Sequence, residues 1–214
     1  MPFEPDLRDR VSAYTTVHVG SPAWHEEFFD FISDTRLRRR LAEEFRATRL
    51  VYKMLEGLGD SALDLAMAKL QVLQYASIYE AVIHHLLFDR LAGAREVEAL
   101  RYYTTYVHIS VSKQLDSLMH NGRRVFTVQR AKRRSGVSKV RFEFKADAAC
   151  KLGLISPALR DELKTLYASR NAIHIHAELK RGTVFDVSMS LHAYWRMQAF
   201  QGEVKAGMRK LGLA

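Results

Sequence analysis

The sequence predicts a mainly α-helical protein with extra helices at its N-terminus and a basic, β-hairpin-like insertion. Three observations lead to that class. Apolar residues recur at helical spacing through the first half and the last third of the chain. Ser21-Pro22 and Ser156-Pro157 each set a capping hydroxyl before a proline at the first helical position. Between these regions Tyr, Thr, Val and Phe mix with Lys and Arg, a composition suited to extended strands.

The elements follow in order. After Ser21-Pro22, the spacing of Trp24, Phe28, Phe29 and Ile32 predicts a first helix. A second runs from about Asp34 into Leu55, with Leu37, Leu41, Phe45, Leu50 and Leu55 on its apolar side and Gly57-Leu58-Gly59 closing it. Asp60 or Ser61 opens a long helix reaching about Leu91. Arg101 to Val111 has strand composition, with a helix as the alternative. Arg123–Val128 and Lys139–Phe144 are expected to pair as a hairpin about Ser135-Gly136, or to form two arms of a mobile loop. Helix resumes near Ala146 and stops near Gly153. The next runs from Ser156-Pro157 to Lys180-Arg181-Gly182, where two cations and a glycine form its end. Asp186 or Ser188 starts the last helix, with Leu191, Tyr194, Trp195 and Met197 facing inward. The chain divides into an N-terminal helical extension, residues 1–60, and a helical domain, residues 61–214, carrying the basic insertion at about 100–145.

Composition narrows the function classes. The 214 residues are 48% hydrophobic and 27% charged, ordinary for a globular protein. A formal charge of +9 favours a polyanionic partner, most simply nucleic acid. A single cysteine, Cys150, excludes an intrachain disulfide framework and a cysteine-rich zinc module, and its apolar neighbours point to core packing. MPFEPDLRDR does not read as a signal peptide. The most apolar stretch, Leu70 to Phe88, is broken by Gln71, Gln74, Glu80, His84 and His85, so no membrane span and a cytoplasmic location are expected. His84 and His85 are adjacent and diverge on a helix, which makes a poor metal pair. With no glycine-rich phosphate loop or nucleophile elbow, neither metal nor cofactor is expected.

The stretch Arg170-Asn171-Ala172-Ile173-His174-Ile175-His176 carries the chemistry. Arg is permanently charged and forks onto phosphate oxygens. His exchanges protons near neutral pH. Together they suffice for metal-free RNA cleavage, in which a base takes the 2′-hydroxyl proton and a cation stabilises the charge that develops on the phosphate. Arg170 would hold the phosphate, and Asn171 would bond the phosphate or fix a neighbouring side chain. On one continuous helix, at about 100° per residue, His174 lies nearly above Arg170, whereas His176 is rotated by about a third of a turn.

The segment ACKLGLISPALRDELKTLYASRNAIHIHAEL resembles the HEPN domain, an all-helical family found among prokaryotic toxins, defence systems and RNA-processing factors. The family pattern is Arg, four to six residues, then His, often with a polar residue directly after the Arg. Five residues separate Arg170 from His176, which fits, and three separate it from His174, which does not. LQYASIYEAVIHHLL resembles the long family helix that packs on the motif helix. The resemblance covers about half the chain. It implies an up-and-down helical bundle, a homodimer whose two motif helices line one cleft, and metal-independent endoribonuclease activity that leaves a cyclic phosphate. His176 is then the general acid/base, with His174 as a rival or orienting residue. A toxin or defence role would bring a nucleotidyltransferase-like antitoxin as partner.

Two further features bear on RNA. Glu80 is the only formally charged residue among the 19 from Leu70 to Phe88, and a carboxylate in such surroundings calls for a cation. The resemblance to the HEPN family implies Arg170 as that partner, and Ser77, Glu80 and His84 are expected on one helix face. From Asn121 to Lys145 there are nine cations against one acid, Glu143. Arg123, Arg124, Arg130, Lys132, Arg133, Arg134, Lys139 and Arg141 are the expected phosphate contacts, with Phe and Val interleaved for base stacking. Two other functions fit less of the chain: a non-catalytic HEPN adaptor binding nucleic acid or nucleotides, and a helical DNA-binding regulator.

Overall fold

A computed structural model describes residues 4–109 and 118–213. It is 69% helix and 9% strand. Helices α1 (Pro5–Val19), α2 (Pro22–Phe28), α3 (Thr35–Leu58) and α4 (Asp64–His85) come first, and α4 runs on through a π-helical turn, Leu86–Arg90. The short α5 (Arg95–Leu100) leads into strands β1 (Tyr102–His108), β2 (Met119–His120), β3 (Arg123–Arg124) and β4 (Val128–Arg134). Helices α6 (Phe142–Lys151), α7 (Pro157–Arg170), α8 (Ile175–Arg181) and α9 (Val187–Lys210) complete the chain.

Side-chain caps set four of the helix starts. Ser21 Oγ accepts from the Trp24 amide at 3.2 Å, Asp34 Oδ1 from Leu37 at 2.9 Å, Ser156 Oγ from Leu159 at 3.2 Å and Asp186 Oδ1 from Met189 at 3.0 Å. Left-handed Gly59 ends α3.

Helix α4 is the centre of the body and packs against α3, α6, α7 and α9. Half of its residues are buried, with Val72, Tyr75, Ala76, Ile78, Tyr79, Val82 and Ile83 inside and Leu70, Leu73 and Ser77 on an exposed stripe. The Tyr79 hydroxyl donates to the Ala193 carbonyl of α9 at 2.7 Å, which satisfies a polar group deep in the core. Phe28, Phe29, Ile32, Leu41 and Phe45 join one continuous core with residues of α4, α6, α7 and α9, so residues 22–58 pack into the same body as the later helices. Trp195, expected inside, is 59% exposed. Cys150 is half-buried at the edge of the core.

Arg49 of α3 ties the N-terminal helices down. Its guanidinium lies 4.9 Å from the Trp24 ring centre and 5.4 Å from that of Tyr194, and donates to His25 Nε2 at 3.2 Å. Nε2 therefore carries the lone pair, and His25 Nδ1 donates to the Ser21 carbonyl at 2.8 Å. Burial pushes the His25 pKa below its ordinary 6.5, and the charges of Arg49 and Arg46 add to the effect. Unfolded His25 takes up its proton below about 6.5 while the folded ring resists, so stability is lost as pH falls from there toward the depressed folded value. His84, also lowered by burial, acts with the same sign. The melting temperature is expected to drop between pH 7.5 and 5.5, and His25→Gln is expected to flatten that slope; an unaltered slope in the variant would remove His25 from the account.

The β region differs from the sequence expectation. Strand β1 pairs antiparallel with β4, from Tyr102↔Arg134 to His108↔Val128. Arg123–Arg124 pairs instead with Met119–His120 across Asn121-Gly122, both at positive φ, a tight hairpin turn. The Lys139–Phe144 segment is not a strand: Val137–Lys139 forms a 3₁₀ turn, and α6 begins at Phe142, whose ring is buried. Val111, at the end of the expected strand, lies outside the described residues.

Candidate functional site

Arg170 is the last residue of α7, and a guanidinium there faces the partial negative charge of the helix end. Its Nη1 donates to Asn171 Oδ1 at 3.2 Å and reaches the Tyr167 hydroxyl at 3.4 Å, while its Cζ lies 5.1 Å from the Tyr167 ring centre. Arg170 Nε is buried without a hydrogen-bond partner among the described residues. Tyr167 in turn donates to Glu80 Oε2 at 2.8 Å, and Phe142 stacks on its ring at 4.3 Å.

Glu80 is the anionic centre of this network, but its direct cation is not Arg170. Lys145 Nζ donates to Glu80 Oε1 at 2.8 Å, and Lys145 is only 2% exposed. The expected Glu80–Arg170 link passes through the Tyr167 hydroxyl. Burial pushes the Glu80 carboxyl upward, yet the hydrogen bonds from Lys145 and Tyr167, with the charges of Lys145 and Arg170, hold it below its ordinary value. Tyr167 is pushed up to about 12 by burial and by its bond to that carboxylate, so it remains a donor at neutral pH. One carboxylate thus faces two cations. Lys145 is enclosed, and the excess positive charge resides on half-buried Arg170. A phosphate would find there a fixed, partly desolvated guanidinium.

The motif does not lie on one helix. Helix α7 stops at Arg170, residues 171–174 form a turn, and α8 starts at Ile175 with His174 at its cap position in extended conformation. The stacking of His174 over Arg170, which a continuous helix would impose, is therefore absent. Ala172 sets the break: it is fully buried in a small cluster with Ala68, Val72 and Phe185, pinning the turn to the N-terminal part of α4. Two contacts hold α8 in place, Lys69 to Glu178 at 2.5 Å and Arg181 Nη1 to the Ala168 carbonyl at 3.1 Å. Both imidazoles are exposed, and among the described residues neither hydrogen-bonds to Arg170, Asn171 or Glu80. Ile175 and Leu179, on the same short helix as His176, are 72% and 77% exposed. Ser77 does not join the site, since its hydroxyl donates to its own helix at the Leu73 carbonyl, 2.8 Å away. His84 packs on Phe88 with ring centres 4.8 Å apart.

The eight predicted phosphate contacts are all exposed, and the strand pairing sorts them. Alternation puts Tyr102, Thr104, Tyr106 and His108 on the same ribbon face as Arg134, Lys132 and Arg130. Lys132 Nζ sits 4.3 Å from the Tyr102 ring centre. Arg133 belongs to the opposite face, with Tyr103 and the half-buried Thr105 and Ala131. Arg123 and Arg124 lie in β3, where Arg124 Cζ is 5.4 Å from the Phe126 ring centre. Lys139 and Arg141 flank the entry to α6. The tyrosines of β1 thus replace Phe142 as candidate stacking partners.

Lys145 and Tyr167 went unrecognised in the sequence. Lys145 is one of nine cations in a basic run, and its only distinguishing mark is its place beside Ala146 and Ala149 on an apolar helix face. Tyr167 sits three residues before Arg170, the spacing of neighbours on a helix surface. Compared with known proteins, the chain matches no family model, no curated protein and no solved structure. No described helix is long and apolar enough to cross a membrane.

Proposed function

We propose that this chain is a HEPN-like, metal-independent endoribonuclease in which Arg170 holds the scissile phosphate and His176 moves the proton. The reading rests on one observation: a half-buried guanidinium, fixed by Tyr167 and Asn171 and not neutralised by Glu80, at the end of a helix six residues before an exposed imidazole. In the proposed step a base removes the ribose 2′-hydroxyl proton and the 2′ oxygen bonds to phosphorus. The 5′ oxygen then leaves with a proton from a general acid, giving a 2′,3′-cyclic phosphate and a 5′-hydroxyl. A second copy docking on Ile175 and Leu179 would bring a second His176 to the same cleft. A toxin or defence role, with a nucleotidyltransferase-like antitoxin, belongs to the same proposal.

The test is incubation with RNA in excess chelator. Cleavage with cyclic phosphate ends is expected, retained in His174→Ala and lost in His176→Ala. Binding without cleavage would favour the adaptor reading, which has an observation of its own: among the described residues, neither exposed imidazole hydrogen-bonds to a carboxylate. A DNA-binding regulator has less support, because the basic segment is a ribbon with tyrosines on its cationic face.

The ribbon yields a face-specific prediction. Arg130, Lys132 and Arg134 share a face, so replacing all three by Ala should lower the slope of log affinity against log salt for single-stranded RNA by about 2, at about 0.7 per phosphate contact. Arg133→Ala, on the other face, should alter it far less. Equal effects from both would remove the ribbon face from RNA binding.

A further inference from the structure

A cavity of about 330 Å³ lies between α3, α4 and α9, lined by residues outside the Arg170 network. It is at the small end of the range for ligand pockets, about 300–1,000 Å³. Tyr52, Tyr75, Tyr194 and Trp195 supply flat apolar walls from three different helices. Arg49 supplies charge. It has no carboxylate within ion-pair distance among the described residues, and its neighbours are the aromatic rings, His25 and the His18 carbonyl. The other cation on the wall, Lys53, is already matched by Glu56 at 2.5 Å. The cavity therefore carries one uncompensated positive charge beside stacking surfaces.

One of its buried hydroxyls has no partner among the described residues. Ser190 is 1% exposed, and its hydroxyl is buried with no hydrogen-bond partner among the described residues. Leaving such a group without a partner costs about 1–3 kcal/mol. The Tyr75 hydroxyl likewise has no hydrogen bond to another described residue, and burial keeps it protonated far above its ordinary range. Gln71 is held rigid by its bond to the Thr48 carbonyl at 2.9 Å. Buried donors, a cation without an anion and a set of aromatic walls select for a planar ring that carries an anionic group.

We propose that this cavity is a second ligand site and that it takes a nucleoside monophosphate: the base between the Tyr and Trp rings, the phosphate toward Arg49, and a ring or sugar polar atom on Ser190. The site is separate in sequence and structure from Arg170 and does not depend on the nuclease reading. Both tryptophans of the chain report on it, Trp195 in the wall and Trp24 beneath Arg49.

The experiment titrates the full-length chain with 5′-AMP, GMP, CMP and UMP, following tryptophan fluorescence and heat. Adenosine and inorganic phosphate serve as the two half-ligand controls. Saturable one-to-one binding of at least one monophosphate is expected, at least tenfold tighter than either control. Ser190→Ala should weaken it about tenfold without lowering the melting temperature, because the hydroxyl it removes is unsatisfied in the free protein. Trp195→Ala, at an exposed position, should also weaken it. Arg170→Ala should leave it intact, which separates failure of this proposal from failure of the nuclease. No saturable signal at millimolar monophosphate overturns the proposal, as does binding that Ser190→Ala leaves unaltered or that Arg170→Ala abolishes.

Discussion

Arg170→Ala is expected to reduce RNA cleavage by about 100- to 1,000-fold while leaving the fold intact, the loss seen when one preorganised donor to a developing oxyanion is removed. The size follows from the proposed role: of the two cations in the Glu80 network, Lys145 bonds the carboxylate directly and Arg170 reaches it only through Tyr167. Arg170→Lys should not restore activity, because a point charge on a flexible stem cannot reproduce the fork held between Tyr167 and Asn171. The fold should survive, since Lys145, Glu80 and Tyr167 keep their mutual bonds without Arg170. Single-turnover cleavage of a short RNA in chelator, beside a thermal melt of each variant, checks both halves. Full activity in the alanine variant would end the phosphate-holding role.

Gly207→Ala is expected to destabilise the protein by about 2 kcal/mol or more, although alanine is the better helix former by about 1 kcal/mol. Gly207 lies in α9 where the helix crosses the turn before α7, and an added Cβ would come within 2.6 Å of the Gly153 carbonyl oxygen and the Leu154 Cα. Both are backbone atoms that no rotamer can move. The same crossing is anchored by Glu203, which accepts from the Ser156 amide at 2.5 Å and from its hydroxyl at 3.0 Å, so the clash falls where α7 is seated. Gly202 on the same helix is the internal control. An added Cβ there meets nothing within 4 Å, and Gly202→Ala should stabilise by up to about 1 kcal/mol. Urea unfolding of the two variants should give opposite signs; the same sign would mean the crossing relaxes.

Much of the helical frame could be read from local chemistry. Ser21, Asp34, Ser156 and Asp186 act as caps within three residues of their partners, so the signal and its cause are adjacent in sequence. Non-local pairing was less accessible. Tyr102–His108 has the composition of a strand, but nothing within it names Val128–Arg134 as partner rather than Lys139–Phe144, where Phe142 and Phe144 alternate with charged neighbours. The Asn121-Gly122 pair is a local hairpin-turn signal, and the structure places both residues at positive φ. Glu80 was recognisable as a carboxylate needing a cation, yet which of many cations becomes buried is settled by helix packing, and it is Lys145. The break after Arg170 was hidden because Ile173 and Ile175 continue an acceptable helical pattern. Its cause, the fit of Ala172 against Ala68 and Phe185, is tertiary.

That break changes what governs the distance from guanidinium to imidazole. On an unbroken helix each added or removed residue would swing the histidine by about 100° and carry it off the site. Here Arg170 is moored to the bundle by α7 and His176 by a separate short helix fastened through Glu178. The connecting turn, seated by buried Ala172, sets that span free of any constraint from helical phase.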